Sequence, residues 1–190
     1  METVLITGGA GFIGSHTCLS LLEKKFEVII LDSLINSSFQ SIEKIRNIFS
    51  PHFGDSENYL LFKKGDIRDK NFLGNLFEES FNKGKPIKAV LHFAGLKSIS
   101  DSISSPISYW ESNLIGTINL LNVMRKYDCR KLVFSSSATI YKPKLNDLIN
   151  EFSDLSPINP YGNTKLTIET FLNDVYQSEP DLWSIALLRY

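Results

Sequence analysis

The chain of 190 residues has room for one domain with a sizeable core, or one and a fraction, and its 43% hydrophobic and 22% charged residues are ordinary for a soluble globular protein. A formal net charge of −1 predicts no large basic surface and argues against nucleic acid as a partner. Two cysteines, Cys18 and Cys129, lie far apart with no Cys-x-x-Cys, which predicts reduced thiols rather than a disulfide or a metal site.

The first strand pattern begins within three residues of Met1, which leaves no room for a signal peptide. No apolar run approaches the roughly 18 residues of a membrane span. The expected location is the cytoplasm, with no membrane partner.

Val4-Leu5-Ile6-Thr7 is a largely β-branched run that meets three glycines, Gly8, Gly11 and Gly14. An amphipathic helix pattern follows through Phe12, Ile13, Cys18, Leu19, Leu21 and Leu22. A glycine backbone lets a pyrophosphate approach the N–H groups at a helix N-terminus, where the helix dipole favours negative charge. Residues 27–32 form a second, almost wholly apolar strand ending in Asp32. A carboxylate at that place accepts hydrogen bonds from an adenosine ribose and repels a 2′-phosphate, so NAD is expected over NADP.

Residues 33–58 are polar and loop-rich, with a short helical pattern at Ile42, Ile45, Ile48 and Phe49 that Pro51 and Gly54 break. A short third strand at 59–63 leads to Asp66, which has two readings, a helix cap or an adenine contact. Phe72, Leu73, Leu76, Phe77 and Phe81 predict a helix closed by Gly84 and Pro86. The fourth strand, 88–93, ends at Ala94-Gly95, with Lys97 just beyond, at the edge where doubly wound sheets hold ligands. His92, flanked by apolar residues, is read as a satisfied core histidine.

Pro106 opens a long helical pattern through Tyr109, Trp110, Leu114, Ile118, Leu120, Leu121 and Met124, with Asn113 inside it. A fifth strand at 131–134 ends in Ser135-Ser136-Ser137-Ala138-Thr139, either a polar turn or a row of hydroxyls at the ligand edge. An irregular loop at 143–159 precedes a helix opened by Pro160-Tyr161, in which Tyr161 and Lys165 share a face. A sixth strand spans 183–188. Alternating strands and helices predict an α/β fold, a doubly wound parallel sheet with helices on both faces.

The set Thr7-Gly8-Gly9-Ala10-Gly11-Phe12-Ile13-Gly14, His92-Phe93-Ala94-Gly95-Leu96-Lys97, Phe134-Ser135-Ser136-Ser137-Ala138-Thr139 and Tyr161-x-x-x-Lys165 resembles the extended short-chain dehydrogenase/reductase family. Within it, the order and spacing are similar to the nucleotide-sugar 4-epimerases that interconvert UDP-glucose and UDP-galactose. The closing Trp183-Ser184-Ile185-Ala186-Leu187-Leu188-Arg189-Tyr190 fits them too.

The resemblance implies a Rossmann-type fold, tightly held NAD, and epimerisation at C4 of a UDP-hexose through a transient 4-keto sugar. It assigns Tyr161 as the base for the 4-hydroxyl, Lys165 as its cationic helper and nicotinamide-ribose ligand, and Ser137 as a hydrogen-bonding partner of the reacting oxygen. A lysine beside a tyrosine is expected to lower the phenol's pKa. Gly8, Gly11, Phe12, Ile13 and Gly14 would line the pyrophosphate. Asp32, Asn36 and Ser37 would hold the adenosine ribose, and Asp66 and Ile67 the adenine. Phe93, Ala94, Gly95, Lys97 and Asn113 would lie along the nicotinamide half, with Lys97 also near the substrate. The resemblance also implies a homodimer through helices matching roughly 106–127 and 161–178.

Three departures accompany it. Lys142 stands where the family has glycine, which strains the backbone if φ is positive there. Ser112 replaces an asparagine. Finally, the family continues past its Arg-Tyr ending into a smaller lobe that grips the substrate nucleotide. Residues 1–190 are therefore expected to form one NAD-binding domain without that lobe, with apolar surface uncovered at the last strand and poor or no turnover of UDP-galactose. The alternatives are an inactive NAD-binding module and a sister 4,6-dehydratase. Against the latter, Ala138-Thr139 occupies the place of the dehydratase's acidic pair.

Overall fold

A computed structural model describes residues 1–53, 59–143 and 148–190; of residues 50–53 it describes the backbone. Six strands form one parallel sheet: β1 (Thr3–Thr7), β2 (Glu27–Asp32), β3 (Leu60–Lys64), β4 (Ile87–His92), β5 (Lys131–Ser135) and β6 (Ser184–Leu188). Their order is β3-β2-β1-β4-β5-β6, so the direction of winding reverses between β1 and β4. Helices α1 (Phe12–Glu23) and α2 (Gln40–Phe53) lie on the same side of β1–β3. Helices α3 (Lys70–Asn82), α6 (Gly116–Lys126) and α7 (Pro160–Ser178) cover the other face.

Strand alternation makes this two-sided core. Leu5, Ile29 and Leu31 point to the α3–α6–α7 side, where Leu120, Met124, Ile168 and Leu172 meet them. Ile6, Val28 and Ile30 point to Cys18, Leu22, Ile42 and Phe49 on α1 and α2. Both cysteines are free and buried.

Several local expectations change. Helix α2 runs through Pro51 to Phe53, because a proline in the last turn removes one helical hydrogen bond without ending the helix; Gly54 lies outside the described residues. Phe12 and Ile13 are not core residues: they lie in the first turn of α1 along the cleft, and Phe12 is 76% exposed. The cap of α3 is Asp69, which accepts the Phe72 N–H, and not Asp66.

The long helix after Pro106 is three pieces: α5 (Pro106–Tyr109), a π-helical turn Trp110–Ile115, and α6. A further short helix, α4 (Ile99–Ser104), precedes them. Lys142 is not among the described residues with positive φ, and its N–H donates to the Asp154 carbonyl at 2.8 Å, so the expected strain is absent. At the β6 edge Leu188 is 42% exposed. Among the described residues no helix is long and apolar enough to cross a membrane.

Candidate active-site cleft

The carboxyl ends of β1, β2, β4 and β5 open into one cleft of about 770 Å³, running from the loop after β2, past the glycine turn, to Tyr161 and Lys165. It sits where the strand order reverses, the place at which parallel sheets open a crevice.

Three features build its near end. Gly8 has φ of +70°, and a Cβ there would stand 2.6 Å from the Ala94 nitrogen, so only glycine lets β1 turn against the β4 loop. Helix α1 opens on Gly11 with no side-chain cap, which leaves first-turn N–H groups directed at the cleft. Asp32, 7% exposed, accepts the Ala10 N–H at 2.9 Å, the Leu34 N–H at 2.9 Å and the Ser37 hydroxyl at 2.8 Å. The ordering of this loop is thus centred on one carboxylate.

On the side wall Asp66 and Arg68 form a bidentate pair, with Arg68 Nη2 2.7 Å from Oδ2. That hydrogen bond holds the Asp66 carboxyl below its ordinary range. Both residues and Ile67 line the cleft.

The floor of the far end is set by an ordered hydrogen-bond chain. Thr117 donates to the Asn113 carbonyl, so its oxygen accepts from His92 Nε2 at 2.9 Å; His92 Nδ1 then accepts from Thr7 at 2.6 Å. These partners assign the tautomer. Burial pushes the His92 pKa down to about 3, which keeps it neutral. The reading of His92 as a satisfied core residue is correct.

Tyr161 and Lys165 stand one turn apart on α7, whose cap is Asn159, accepting the Gly162 N–H at 2.8 Å. Lys165 is almost wholly buried, 4% exposed. Its Nζ donates to the Ser135 carbonyl at 2.8 Å and lies 4.7 Å from the centre of the Phe134 ring. Burial pulls its pKa down to about 8, with the Glu169 carboxylate pulling the other way.

The expectation that Lys165 lowers the pKa of Tyr161 is corrected here. Burial raises the Tyr161 phenol above its ordinary value, and the hydrogen bond from Ser137 is the influence that opposes it. Lys165 is turned to the strand end, with its Nζ 5.9 Å from the centre of the Tyr161 ring.

Sixteen of the eighteen residues singled out in the sequence line this cleft: Gly8, Gly11, Phe12, Ile13, Gly14, Asp32, Asn36, Ser37, Asp66, Ile67, Phe93, Ala94, Gly95, Lys97, Tyr161 and Lys165. The other two stand behind its wall. Ser137 accepts from the Thr139 N–H at 3.2 Å and Oγ1 at 3.0 Å, leaving its own proton for Tyr161. Asn113 commits its amide to the Leu96 backbone and to Thr164.

Sequence reasoning missed Ser108 and Tyr190, which also line the cleft, whereas Ser135 and Ser136 line it as the row of hydroxyls that the strand end offered. The Tyr190 hydroxyl meets Ser135 Oγ at 2.5 Å. Its place directly after β6, at the ligand edge, was the signal available. Ser112 lines the cleft too.

Residues 5–188 match the family described as GDP-mannose 4,6 dehydratase. The chain belongs to that family. Within the GDP-mannose 4,6 dehydratase family, its curated relatives include UDP-glucose 4-epimerase 1 of Oryza sativa subsp. japonica, 46% identical over all of this chain and 51% of the relative. The bifunctional UDP-glucose 4-epimerase and UDP-xylose 4-epimerase 3 of Arabidopsis thaliana is 43% identical over the same shares. The chain thus spans about half the length of the curated relatives it matches.

Among solved structures, UDP-glucose 4-epimerase from Stenotrophomonas maltophila, with bound NAD and formylated UDP-arabinopyranose, superposes with a TM-score of 0.88 at 40% identity, over 100% of this chain and 53% of that one. The Bifidobacterium longum enzyme, in complex with NAD+ and UDP, gives the same values.

Proposed function

We propose that this chain binds NAD along the cleft and provides the proton- and hydride-handling wall of a nucleotide-sugar 4-epimerase acting on a UDP-hexose. The observation that carries this reading is the convergence of Tyr161, Ser137 and Lys165 at one end of a cleft whose other end is a glycine turn and Asp32. The cleft fits a dinucleotide. The uncapped α1 N-terminus suits a pyrophosphate, and Asp32 suits a ribose diol while repelling a 2′-phosphate. The relatives solved with NAD support the same assignment.

NAD, when bound, supplies a hydride acceptor and donor for sugar C4. Tyr161, in its phenolate form, takes the proton of the 4-hydroxyl and returns it after the sugar has turned over. Ser137 has one free proton, which meets the phenol oxygen of Tyr161 before the substrate enters and the reacting oxygen once it is in place. Lys165 brings a positive charge to a buried wall, where the ribose hydroxyls of the cofactor would use it. Phe93, Ala94 and Gly95 present small or backbone surface on which a flat ring can lie. A 4,6-dehydration is disfavoured, since Ala138 and Thr139 offer no acid beside Ser137.

On this reading residues 1–190 are the NAD-binding domain, and the residues that choose the nucleotide lie in the half that the relatives have beyond the match. A cytoplasmic location is supported by the two buried free thiols. A homodimer is supported by exposed Ile107 and Ile115 on the helical stretch that begins at Pro106, and sedimentation at monomer mass rejects it.

Calorimetric titration with NAD tests the central claim. Saturable heat is expected from the wild-type chain and from Tyr161→Phe, and turnover of UDP-galactose by the wild-type chain is expected to be poor or absent. No heat and no thermal shift with NAD would overturn the reading.

A further inference from the structure

Directly behind the cleft, the end of β6 is tied to α7 by a buried ion pair. Arg189 Nε lies 3.0 Å from Glu169 Oε1, and Nη2 lies 2.6 Å from Oε2. The Glu169 side chain is 5% exposed and that of Arg189 20%. Arg189 Nη1 also donates to the Tyr141 hydroxyl at 3.0 Å and to the Glu151 carbonyl at 3.3 Å. A carboxylate held bidentately in this way has one orientation.

Two relationships connect the pair to the cleft. Glu169 is four residues after Lys165 on α7, so the two share a helix face. Arg189 immediately precedes Tyr190, whose hydroxyl meets Ser135 Oγ, and the carbonyl of the same Ser135 receives the Lys165 ammonium. One end of the pair therefore stands behind Lys165, and the other sets the strand end in front of it.

We infer that Glu169, held in place by Arg189, is a positioning residue that acts as the counter-charge of the Lys165 ammonium. Among the described residues Lys165 has no acidic partner at hydrogen-bond distance; its direct acceptor is a neutral carbonyl. The charged and titratable groups around it are Tyr161 and Glu169 on its own helix, His92 on β4, and Arg189 and Tyr190 at the end of β6. Of these, His92 is held neutral by burial, and burial pushes the Tyr161 phenol toward its neutral form. Glu169 is the single acid of the group, and its effect on Lys165 runs against burial. An ammonium in so buried a place needs such a charge to stay ionised near neutral pH.

The test is a side-chain NMR titration of Lys165 in the chain without cofactor, assigned with Lys165→Arg. In Glu169→Gln the Lys165 midpoint is expected to fall by about 1 pH unit. The double variant Glu169→Gln/Arg189→Gln, which leaves no uncompensated buried charge, should fold and show a fall in the same direction, smaller because a positive charge goes with the carboxylate. Glu169→Asp should restore most of the wild-type midpoint. An unmoved midpoint in the folded double variant overturns the inference. So does failure of that variant to fold, because the pair would then serve the fold alone. Calorimetry with NAD between pH 6.5 and 9 is a separate readout. Absence of NAD binding in the wild type would count against the proposed function, and the Lys165 midpoint would still decide the role of Glu169.

Discussion

Asn113 holds Leu96 by both ends of its amide: Oδ1 accepts the Leu96 N–H at 2.8 Å, and Nδ2 donates to the Leu96 carbonyl at 3.0 Å. The same Nδ2 lies 3.1 Å from Thr164 on α7. The loop carrying Gly95 and Lys97 is thereby pinned to the helix carrying Tyr161 and Lys165. Asn113→Ala leaves these buried groups unpaired and is expected to cost about 2–4 kcal/mol in denaturant unfolding. NAD affinity should fall with it, although the substituted side chain does not line the cleft.

Lys165 is expected to weaken the fold in which it sits. Its folded pKa, about 8, lies below the ordinary value of 10.5. The penalty is therefore complete below pH 8 and fades as pH rises from 8 to 10.5, where the unfolded chain binds more protons than the folded one. The shift corresponds to about 3 kcal/mol at neutral pH. Lys165→Met should be more stable than wild type at pH 7 by an amount of that order, reduced by the lost bond to Ser135. The advantage should shrink between pH 8 and 10.5. Parallel urea melts at pH 7 and pH 10 measure it, and equal differences at the two pH values refute it.

Much of this arrangement was open to sequence reading. Parallel strands buried on both faces are near-continuous apolar runs, so β2 and β4 stand out, and the glycines beside β1 announce a turn that no larger residue fits. The break in the helix after Pro106 was not legible, since an extra residue in a turn leaves the apolar spacing of Tyr109, Leu120 and Met124 intact. Nor was the retreat of Ser137 and Asn113 behind the wall, which depends on contacts with Thr139, Leu96 and Thr164, far away or unremarkable in sequence. The direction of the Tyr161 shift differs from the sequence expectation for the same reason. Spacing on α7 shows that they are neighbours, whereas burial, which dominates both, belongs to the folded chain.

Asp32 faces the loop through Leu34 and Ser37 while its charge faces the cleft. Asp32→Asn keeps most of the shape and removes the charge. The preference for NAD over NADP is expected to narrow by about tenfold or more, read as the ratio of the two dissociation constants. An unchanged ratio would remove Asp32 from cofactor selection.

Lys25 ends α1 at φ 63°, exposed, with its N–H on the Leu22 carbonyl at 2.9 Å and the Phe26 N–H on Leu21 at 3.1 Å. This is the left-handed position that follows a helix and suits glycine. Lys25→Gly is expected to stabilise the fold by about 0.5–1 kcal/mol and raise the melting temperature by about 1–3 °C. It lies far from the cleft, so NAD binding should be unaffected.

The π-helical turn Trp110–Ile115 also makes the number of residues in this helix a constraint in its own right. The widened turn lets Ser108 and Ser112 face the cleft while Asn113 reaches beneath the β4 loop and Leu120 and Met124 stay in the core. Removing one residue there would restore regular pitch and rotate everything before it by about 100° relative to everything after. Either the serines or the core contacts would lose their partners. Length changes that surface loops absorb freely are thus forbidden at this one place, and a deletion there would read as loss of function even with every cleft residue intact.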